Sequence, residues 1–275
     1  MEQSGSADIS ILKYSDGANS KIKDLVAVEA PLRIMLSIEN ENGKHTRSVA
    51  VTLRTPGQDM PLALGYLFSE GILTKDDSIL SVDYSKSDAD SIIISMKGSV
   101  EKLQAITQRN NAVYAACGIC GKTEFEPFTV DDLKPNPAKI SLAAEIIVSL
   151  TRKMAPFQQL FEKTGGIHAA GIFDKNGDPE IVMEDIGRHN AVDKAIGHFL
   201  LRNEFSLSDK ILVLSGRAGY ELIQKAAMAE IGLVVSVGAP SSMAIDLAKD
   251  AGITLVGFVK NDNFNIYTHH QQIIT

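Results

Sequence analysis

The sequence predicts an α/β protein: a C-terminal domain on a mostly parallel sheet, preceded by a smaller α+β domain. Three observations carry that expectation. From residue 210 onward, short apolar runs alternate with helical patterns: "KILVLSG", "YELIQKAAMAEIG", "LVVSVG", "SSMAIDLAKDAG" and "ITLVGFV". Strands that are apolar throughout belong to sheets covered on both faces. The first hundred residues instead hold several β-rich runs around one helical pattern. Finally, 275 residues suffice for two domains at roughly 150 residues each, and a chain of that length buries its apolar surface without staples.

The elements follow in order. Residues 1–23 are polar and are expected to be disordered or frayed. Residues 24–110 form the small domain. In it, "LRIMLSIENENGKHTRSVAVTL" holds two β-rich runs about Asn40, Asn42 and Gly43, the pattern of a hairpin with a longer loop. "DMPLALGYLFSEGIL" predicts a helix with Leu62, Leu64, Leu67 and Phe68 on its apolar face and Gly71 as its stop. "ILSVDY" and "SIIISMKG" are two further strands. Residues 111–140 form a loop and linker, marked by Gly118, Gly121, Pro127, Pro135 and Pro137. Residues 141–275 form the larger domain. It opens on the helix "SLAAEIIVSLTRKM" with Ser141 as an N-cap, then the strands "IHAAGIFD" and "PEIVMEDIG". The helix "NAVDKAIGHFLLRN" turns Val192, Ile196, Phe199 and Leu200 inward.

Composition excludes several classes. The formal charge of −7 argues against broad nucleic-acid binding, though a local basic pocket fits within it. No apolar run reaches the ~20 residues of a membrane-spanning helix, and the N-terminus "MEQSGSADIS" has no apolar signal region. Two cysteines in a chain of this size are not a disulfide framework; they point to a reducing compartment, the cytoplasm.

Both cysteines, Cys117 and Cys120, stand in "CGICGK". The thiolate is the reactive form, and Lys122 would favour it on folding back. The spacing alone leaves open a redox pair, a reactive nucleophile, a solvated loop, or half of a zinc site. Zinc takes four ligands, and without a second C-x-x-C the other two would be His168 and His189.

Four further clusters carry polar groups. "TGGIHAAG" places His168 on a strand after two glycines, where it is either a packed rim residue or a functional one. "EDIGRHNAVDK" packs Glu184, Asp185, Arg188, His189, Asn190, Asp193 and Lys194 into one strand-to-helix turn. Such a helix start suits an anion or nucleotide, or it is simply a capped terminus. "LSGRAGYE" runs a strand into Gly216 and Arg217, but it is neither a Walker A loop nor G-x-G-x-x-G. "VGAPSSMA" repeats the arrangement with Ser241 and Ser242, and Lys260, Asn261, Asp262 and Asn263 follow the last parallel strand. Ligands of such sheets bind beyond the carboxyl ends of the strands. One extended site for a phosphate-bearing ligand is therefore expected, with Arg188, Arg217, Lys225 and Lys260 offsetting its charge.

Taken together, "RTPGQDMPLALGYLFSEGIL", "CGICGK", "TGGIHAAGIFD", "EDIGRHNAVDKAIG", "SGRAGYELIQKAAMAEI", "GAPSSMAIDLAKDAGITLVGF" and "FNIYTH" resemble the formate dehydrogenase accessory sulfurtransferase family, FdhD, over residues ~24–270 in order. The resemblance implies a persulfide carrier. It would accept sulfur from a cysteine desulfurase and pass it to the molybdenum or tungsten bis(molybdopterin guanine dinucleotide) cofactor of formate dehydrogenase. It implies that Cys117 carries the persulfide with Cys120 accessory, and that the loop Phe258, Val259, Lys260, Asn261, Asp262, Asn263 contacts the cofactor. Arg188, His189, Asn190, Gly216, Arg217, Ser241 and His168 join that loop as expected cofactor-binding residues. The resemblance further implies a cytidine-deaminase-like three-layer C-terminal domain and a homodimer. No structural metal is expected. Zinc deaminases carry H-x-E before P-C-x-x-C, whereas here the C-x-x-C comes first and Ala169 and Ala170 follow His168. A non-catalytic cofactor-binding chaperone is the alternative reading, with a deaminase-type zinc hydrolase behind it.

Overall fold

The computed structural model describes residues 5–41, 43–99 and 140–274. The chain opens on two ten-residue strands, β1 (Ser6–Ser15) and β2 (Ala18–Ala27), paired antiparallel over their full length. This corrects the expectation of a frayed terminus. Asp16 and Gly17 form the two-residue turn, both with positive φ (52° and 81°). That is the backbone a tight hairpin turn demands, and Asp-Gly adopts it at low cost.

The next sheet contains β3 (Ala30–Asn40), β4 (Gly43–Arg54), β5 (Ile79–Tyr84) and β6 (Ser91–Lys97) in the order β4-β3-β6-β5. Leu32, Ile34, Leu36 and Ile38 alternate along β3 and are all fully buried, the period-two pattern of a strand with one core face. Helix α1 (Asp59–Ser69) follows β4 and buries Leu62, Leu64, Leu67 and Phe68. It stops as expected. Gly71 takes φ +68°, and the Gly71 and Ile72 amides donate back to the Phe68 and Leu67 carbonyls, a glycine-terminated helix end.

After residue 140, Leu142–Ala143 forms a short strand, β7, parallel to β14 (Ile273–Ile274) at the C-terminus. Ser141 therefore does not cap the next helix, α2 (Ala144–Met154), whose cap is Ala143; the Ser141 hydroxyl donates to Gln272 instead. Helix α3 (Gln159–Thr164) follows. The large sheet then uses β8 (His168–Phe173), β9 (Pro179–Asp185), β10 (Ile211–Leu214), β11 (Leu233–Ser236), β12 (Thr254–Lys260) and β13 (Asn263–Ile266), in the order β13-β12-β11-β10-β8-β9. Helices α4 (Arg188–Leu200), α5 (Tyr220–Met228) and α6 (Ser242–Asp250) connect β9 to β10, β10 to β11 and β11 to β12.

This sheet is mixed rather than mostly parallel. Only the neighbours β10–β11 and β11–β12 pair parallel; β8 is antiparallel to both β9 and β10, and β13 to β12. Connection length decides it. The β8–β9 turn closes through Asp174 and Asp178, too short for the crossover that parallel neighbours require. Even so, β9, β10, β11 and β12 all run the same way, so their carboxyl ends and the starts of α4, α5 and α6 meet at one edge.

Both faces are covered. Ile211, Val213, Leu233, Val235 and Val256 pack with Ile147, Leu150 and Met154 of α2. Leu212, Leu214, Val234 and Leu255 belong to a second core, which continues without a break through α4, α1 and the buried face of β3 and β6. The small and large sheets thus share that core. Helices α1 and α4 cross at two glycines. A Cβ on Gly65 would lie 1.9 Å from the Asp193 carbonyl oxygen, and one on Gly197 1.8 Å from that of Pro61. Only glycine permits such backbone contact. No helix among the described residues is long and apolar enough to cross a membrane.

Candidate functional site

Cys117, Cys120 and Lys122 lie outside the described residues. The site that can be built is the carboxyl edge of the large sheet, where three loops continue the pairing of their strands. The Gly238 amide donates to the Gly216 carbonyl (2.9 Å), Ala218 to Ala239 (3.2 Å), Ser241 to Ala218 (3.0 Å) and Phe258 to Gly238 (3.3 Å). A Cβ on Gly238 would sit 3.0 Å from the Arg217 backbone, so glycine lets the neighbouring loops close on each other. His168, the first residue of β8, completes the row. It pairs in register with Asp185, and Gly216 packs beside its ring, where an added Cβ would fall 3.4 Å from Nδ1. The Ala169 amide donates to the Ser215 hydroxyl (2.8 Å), fixing the start of the strand.

Three cations stand along this edge, beside the carboxylates of Glu221 and Asp262. Arg217 and Lys260 are exposed and Arg188 is half-buried. Among the described residues, none of the three has an ion-pair partner, while helix starts supply further positive potential. Burial, with Arg188 and His189 nearby, holds the His168 imidazole below its usual pKa. His168 is therefore neutral at pH 7, able to donate from one ring nitrogen and accept at the other. Ser241 caps α6 by accepting from the Ala244 amide (3.3 Å).

The end of β12 and the turn after it are conformationally unusual: Phe258, Val259 and Lys260, expected in a loop, belong to the strand at a shift of register, and only Asn261 and Asp262 link it to β13. Phe258, Asn261 and Asp262 have φ of 55°, 49° and 62°, a left-handed backbone that costs a non-glycine residue about 1–2 kcal/mol. Such conformations persist where the surroundings impose them, and they gather at ligand-contacting turns. Val259 is buried and anchors the turn, Phe258 is 49% exposed, and the Asn263 side-chain amide donates to the Asn261 carbonyl (2.8 Å). Behind the turn lies a cavity of ≈ 450 Å³ lined by Val148, Thr151 and Arg152 of α2 with Val237 and residues 259–262. Arg152 reaches Asp262 at 3.8 Å. Sequence patterns did not assign this α2 contribution. The signal for it is the spacing of Val148 and Thr151, three apart on a helix face distinct from Ile147, Leu150 and Met154.

Other expected site residues point inward. The Asn190 amide donates to the Leu53 carbonyl and to Asp185, and its oxygen accepts from Thr52. His189 is buried and its Nε2 lies 2.9 Å from Glu221; among the described residues its Nδ1 has no partner. Lys225, expected from the sequence to offset ligand charge, is instead buried and grips Asp193 at 2.8 and 2.9 Å, with Ser69 of α1 donating to the same carboxylate. Lys194 and Asp185 form a second buried pair at 2.7 Å, tied to the Thr55 carbonyl and amide. These groups hold the β9–α4 turn against the small sheet. Among the described residues, no three His, Cys, Asp or Glu side chains are placed to hold a metal ion.

The model of the FdhD/NarQ family matches residues 27–274. A sulfur carrier protein FdhD from Picrophilus torridus is 44% identical over 253 residues, 92% of this chain and 93% of the relative. One from Streptomyces avermitilis is 38% identical over 276 residues, covering 96% and 94%. A solved structure from Desulfotalea psychrophila, assigned as a formate dehydrogenase accessory protein, superposes with a TM-score of 0.73 at 23% identity over 98% of this chain and 99% of that one, a likeness of fold. The chain belongs to the FdhD/NarQ family.

Proposed function

We propose that this protein is a sulfur carrier for formate dehydrogenase maturation, acting as a sulfurtransferase through Cys117. The Cys117 thiolate attacks the terminal sulfur of a cysteine desulfurase persulfide. The donor S–S bond breaks, the donor cysteine leaves as its thiolate, and Cys117 holds the persulfide. On delivery, the electron pair of the new S–S bond would return to Sγ of Cys117 and the outer sulfur would leave as zero-valent sulfur; the metal of the bis(molybdopterin guanine dinucleotide) substrate, molybdenum or tungsten, arriving in its reduced +4 state, would supply the two electrons that make it a sulfido ligand and become the +6 ion. Cys120 is accessory. The carrier works in the cytoplasm as a homodimer, and its protein partners are the desulfurase and formate dehydrogenase.

The observation that carries this reading is the sheet edge itself. A row of glycine-lined loops from His168 to Phe258 brings backbone to one face, together with three cations, Arg188, Arg217 and Lys260, that have no ion-pair partner among the described residues. That is the chemistry a dinucleotide diphosphate needs. Arg217, Arg188 and Lys260 would offset its charge, neutral His168 would hydrogen-bond it, and Phe258 and the ≈ 450 Å³ cavity offer apolar surface to a planar base. His189 and Asn190 would act behind that surface, holding Arg188 in place.

Incubation with a cysteine desulfurase and free cysteine, followed by mass spectrometry of the Cys117 peptide, tests the carrier step. One added sulfur is expected, absent in Cys117→Ala and retained in Cys120→Ala. Wild-type protein that takes up no sulfur would overturn the reading. A Cys117→Ala variant that still matures formate dehydrogenase would favour the cofactor-binding chaperone instead.

A further inference from the structure

A histidine–carboxylate contact joins the starts of α4 and α5. His189 is the second residue of α4 and Glu221 the second of α5, and Nε2 of the imidazole lies 2.9 Å from the Glu221 carboxylate. A carboxylate only accepts, so Nε2 carries the ring proton. Nδ1 is then a bare lone pair whenever the ring is neutral. His189 is only 6% exposed, and among the described residues its Nδ1 has no hydrogen-bond partner. A buried polar atom left unpaired costs free energy, and the few that native folds retain tend to have a use. The charge of the pair points to one. With Nδ1 bare, the pair carries the negative charge of Glu221; with a proton there, it is neutral. Glu221 follows Arg217 at the sheet edge, so an anion bound by Arg188 and Arg217 also meets this carboxylate.

The surrounding ionisable groups are committed elsewhere. Helix α4 packs against α1, α5, β8 and β9. Lys225 of α5 grips Asp193 of α4, and Asp185 of β9 is paired with Lys194 of α4. Glu184 of β9 accepts from the Leu160 and Phe161 amides. Asp59 of α1 is paired with Arg54, and Tyr66 of the same helix is a neutral phenol, since burial drives its pKa up. His168 of β8 is kept neutral at pH 7 by burial first and by Arg188 and His189 after it. Arg188, next to His189 in the chain, has no ion-pair partner among the described residues. The one ion-pair partner given to Glu221 among them is therefore a histidine with a vacant proton site.

We propose that the His189–Glu221 pair is a proton-coupled charge switch for the anion at the sheet edge: the diphosphate ligand binds with uptake of a solvent proton at Nδ1 of His189, which turns a negative pair into a neutral one. An N–H bond is the only bond that forms. Linkage makes the effect reciprocal, so the anion favours the protonated pair and the protonated pair favours the anion. The inference rests on the diphosphate-binding edge of the preceding reading and adds Glu221 and a proton to it.

Calorimetry of the full chain with diguanosine 5′,5′-diphosphate tests it. Both ends of that diphosphate are esterified, so the probe lacks the phosphate ionisation near pH ~6. Wild-type affinity is expected to fall about tenfold between pH ~6.5 and ~8.5, the effect of one extra negative charge near an anion. Titrations in buffers of different ionisation enthalpy should show uptake of about half a proton at the midpoint, the amount a tenfold coupling yields. Two variants of similar shape separate charge from packing. His189→Gln still donates to Glu221 but gains no proton, so its affinity should stay at the weak, high-pH level throughout. Glu221→Gln still accepts from Nε2 without the charge, and burial opposes charging of a ring that has lost its carboxylate. Its affinity should stay at the tight level, about tenfold above wild type at pH ~8.5. A purely structural contact predicts weaker binding in both variants. A flat wild-type pH profile, proton uptake that survives His189→Gln, or weaker binding by Glu221→Gln at high pH overturns the switch and leaves the anion edge standing. A probe that binds at no pH overturns both. Sulfur uptake by Cys117 is scored separately, so its failure would remove the carrier reading without touching the switch.

Discussion

Two polar turns, residues 185–190 and 258–263, look alike in sequence and differ in what they do with their polar groups. In the first, Asp185, Asn190 and Lys194 are buried and bonded to one another and to Leu53 and Thr55. In the second, Lys260, Asn261, Asp262 and Asn263 are exposed, and three residues of the turn hold a left-handed backbone. The first turn uses its polarity to fix a helix start against the small sheet. The second leaves its polarity exposed, with Val259 buried beneath it. Polar density in a sequence marks both kinds of turn; only the partners tell them apart.

The contrast between the turns breaks most sharply at Lys194. Lys194→Ala strands Asp185 as a buried, uncompensated carboxylate, and loss of one partner of such a pair costs about 3–5 kcal/mol. Denaturant unfolding should show that loss. A cost below ~1 kcal/mol would mean the β9–α4 turn is not held from within. Arg217→Ala probes the open edge and should behave oppositely. Stability should stay within ~0.5 kcal/mol, while calorimetry with guanosine diphosphate should show about tenfold weaker binding, the loss of a charge-assisted hydrogen bond. Asp262→Gly relieves a left-handed residue on the second turn. It should raise stability by up to ~1 kcal/mol in denaturant unfolding, since its distant surface contact with Arg152 adds little.

The smallest effect concerns pH. The pKa of His168 is lower in the folded protein than the usual 6.5 because burial and Arg188 oppose its charging. The unfolded chain therefore binds this proton first on acidification. Stability is full above pH ~6.5 and declines as pH falls towards the folded pKa. His168→Gln should flatten that decline between pH ~7 and ~5, measured as the urea midpoint. An unaltered slope would assign the decline to other groups, of which His198, likewise lowered by burial, is one.

Much of the fold was legible because it depends on local pattern. The alternation of β3, the stop at Gly71 and the strand–helix alternation from β10 to β12 all follow from residue spacing. Sheet polarity was not, because strand direction depends on the length of a turn such as 174–178. The first hairpin was readable from Asp16-Gly17 between two alternating runs, but its polar composition gives it the look of a frayed terminus. Lys225 shows the limit for the site. A lysine in sequence carries a charge but no partner, and Asp193 lies 32 residues away. The edge was legible as a set of strand ends, while the backbone row joining His168, Gly216, Gly238 and Phe258 exists only in three dimensions.

The crossing of α1 and α4 at Gly65 and Gly197 has a thermodynamic consequence. Each glycine sits where the other helix's backbone passes, so sliding either helix by one residue would drive a side chain into a carbonyl oxygen. Neither sheet can loosen while the other stays packed, because the contact has one register and no intermediate. Heating should therefore melt the four-stranded and six-stranded sheets together, with calorimetric and van't Hoff enthalpies in agreement. In this chain two glycines, each a poor helix former on its own, make two sheets a single cooperative unit.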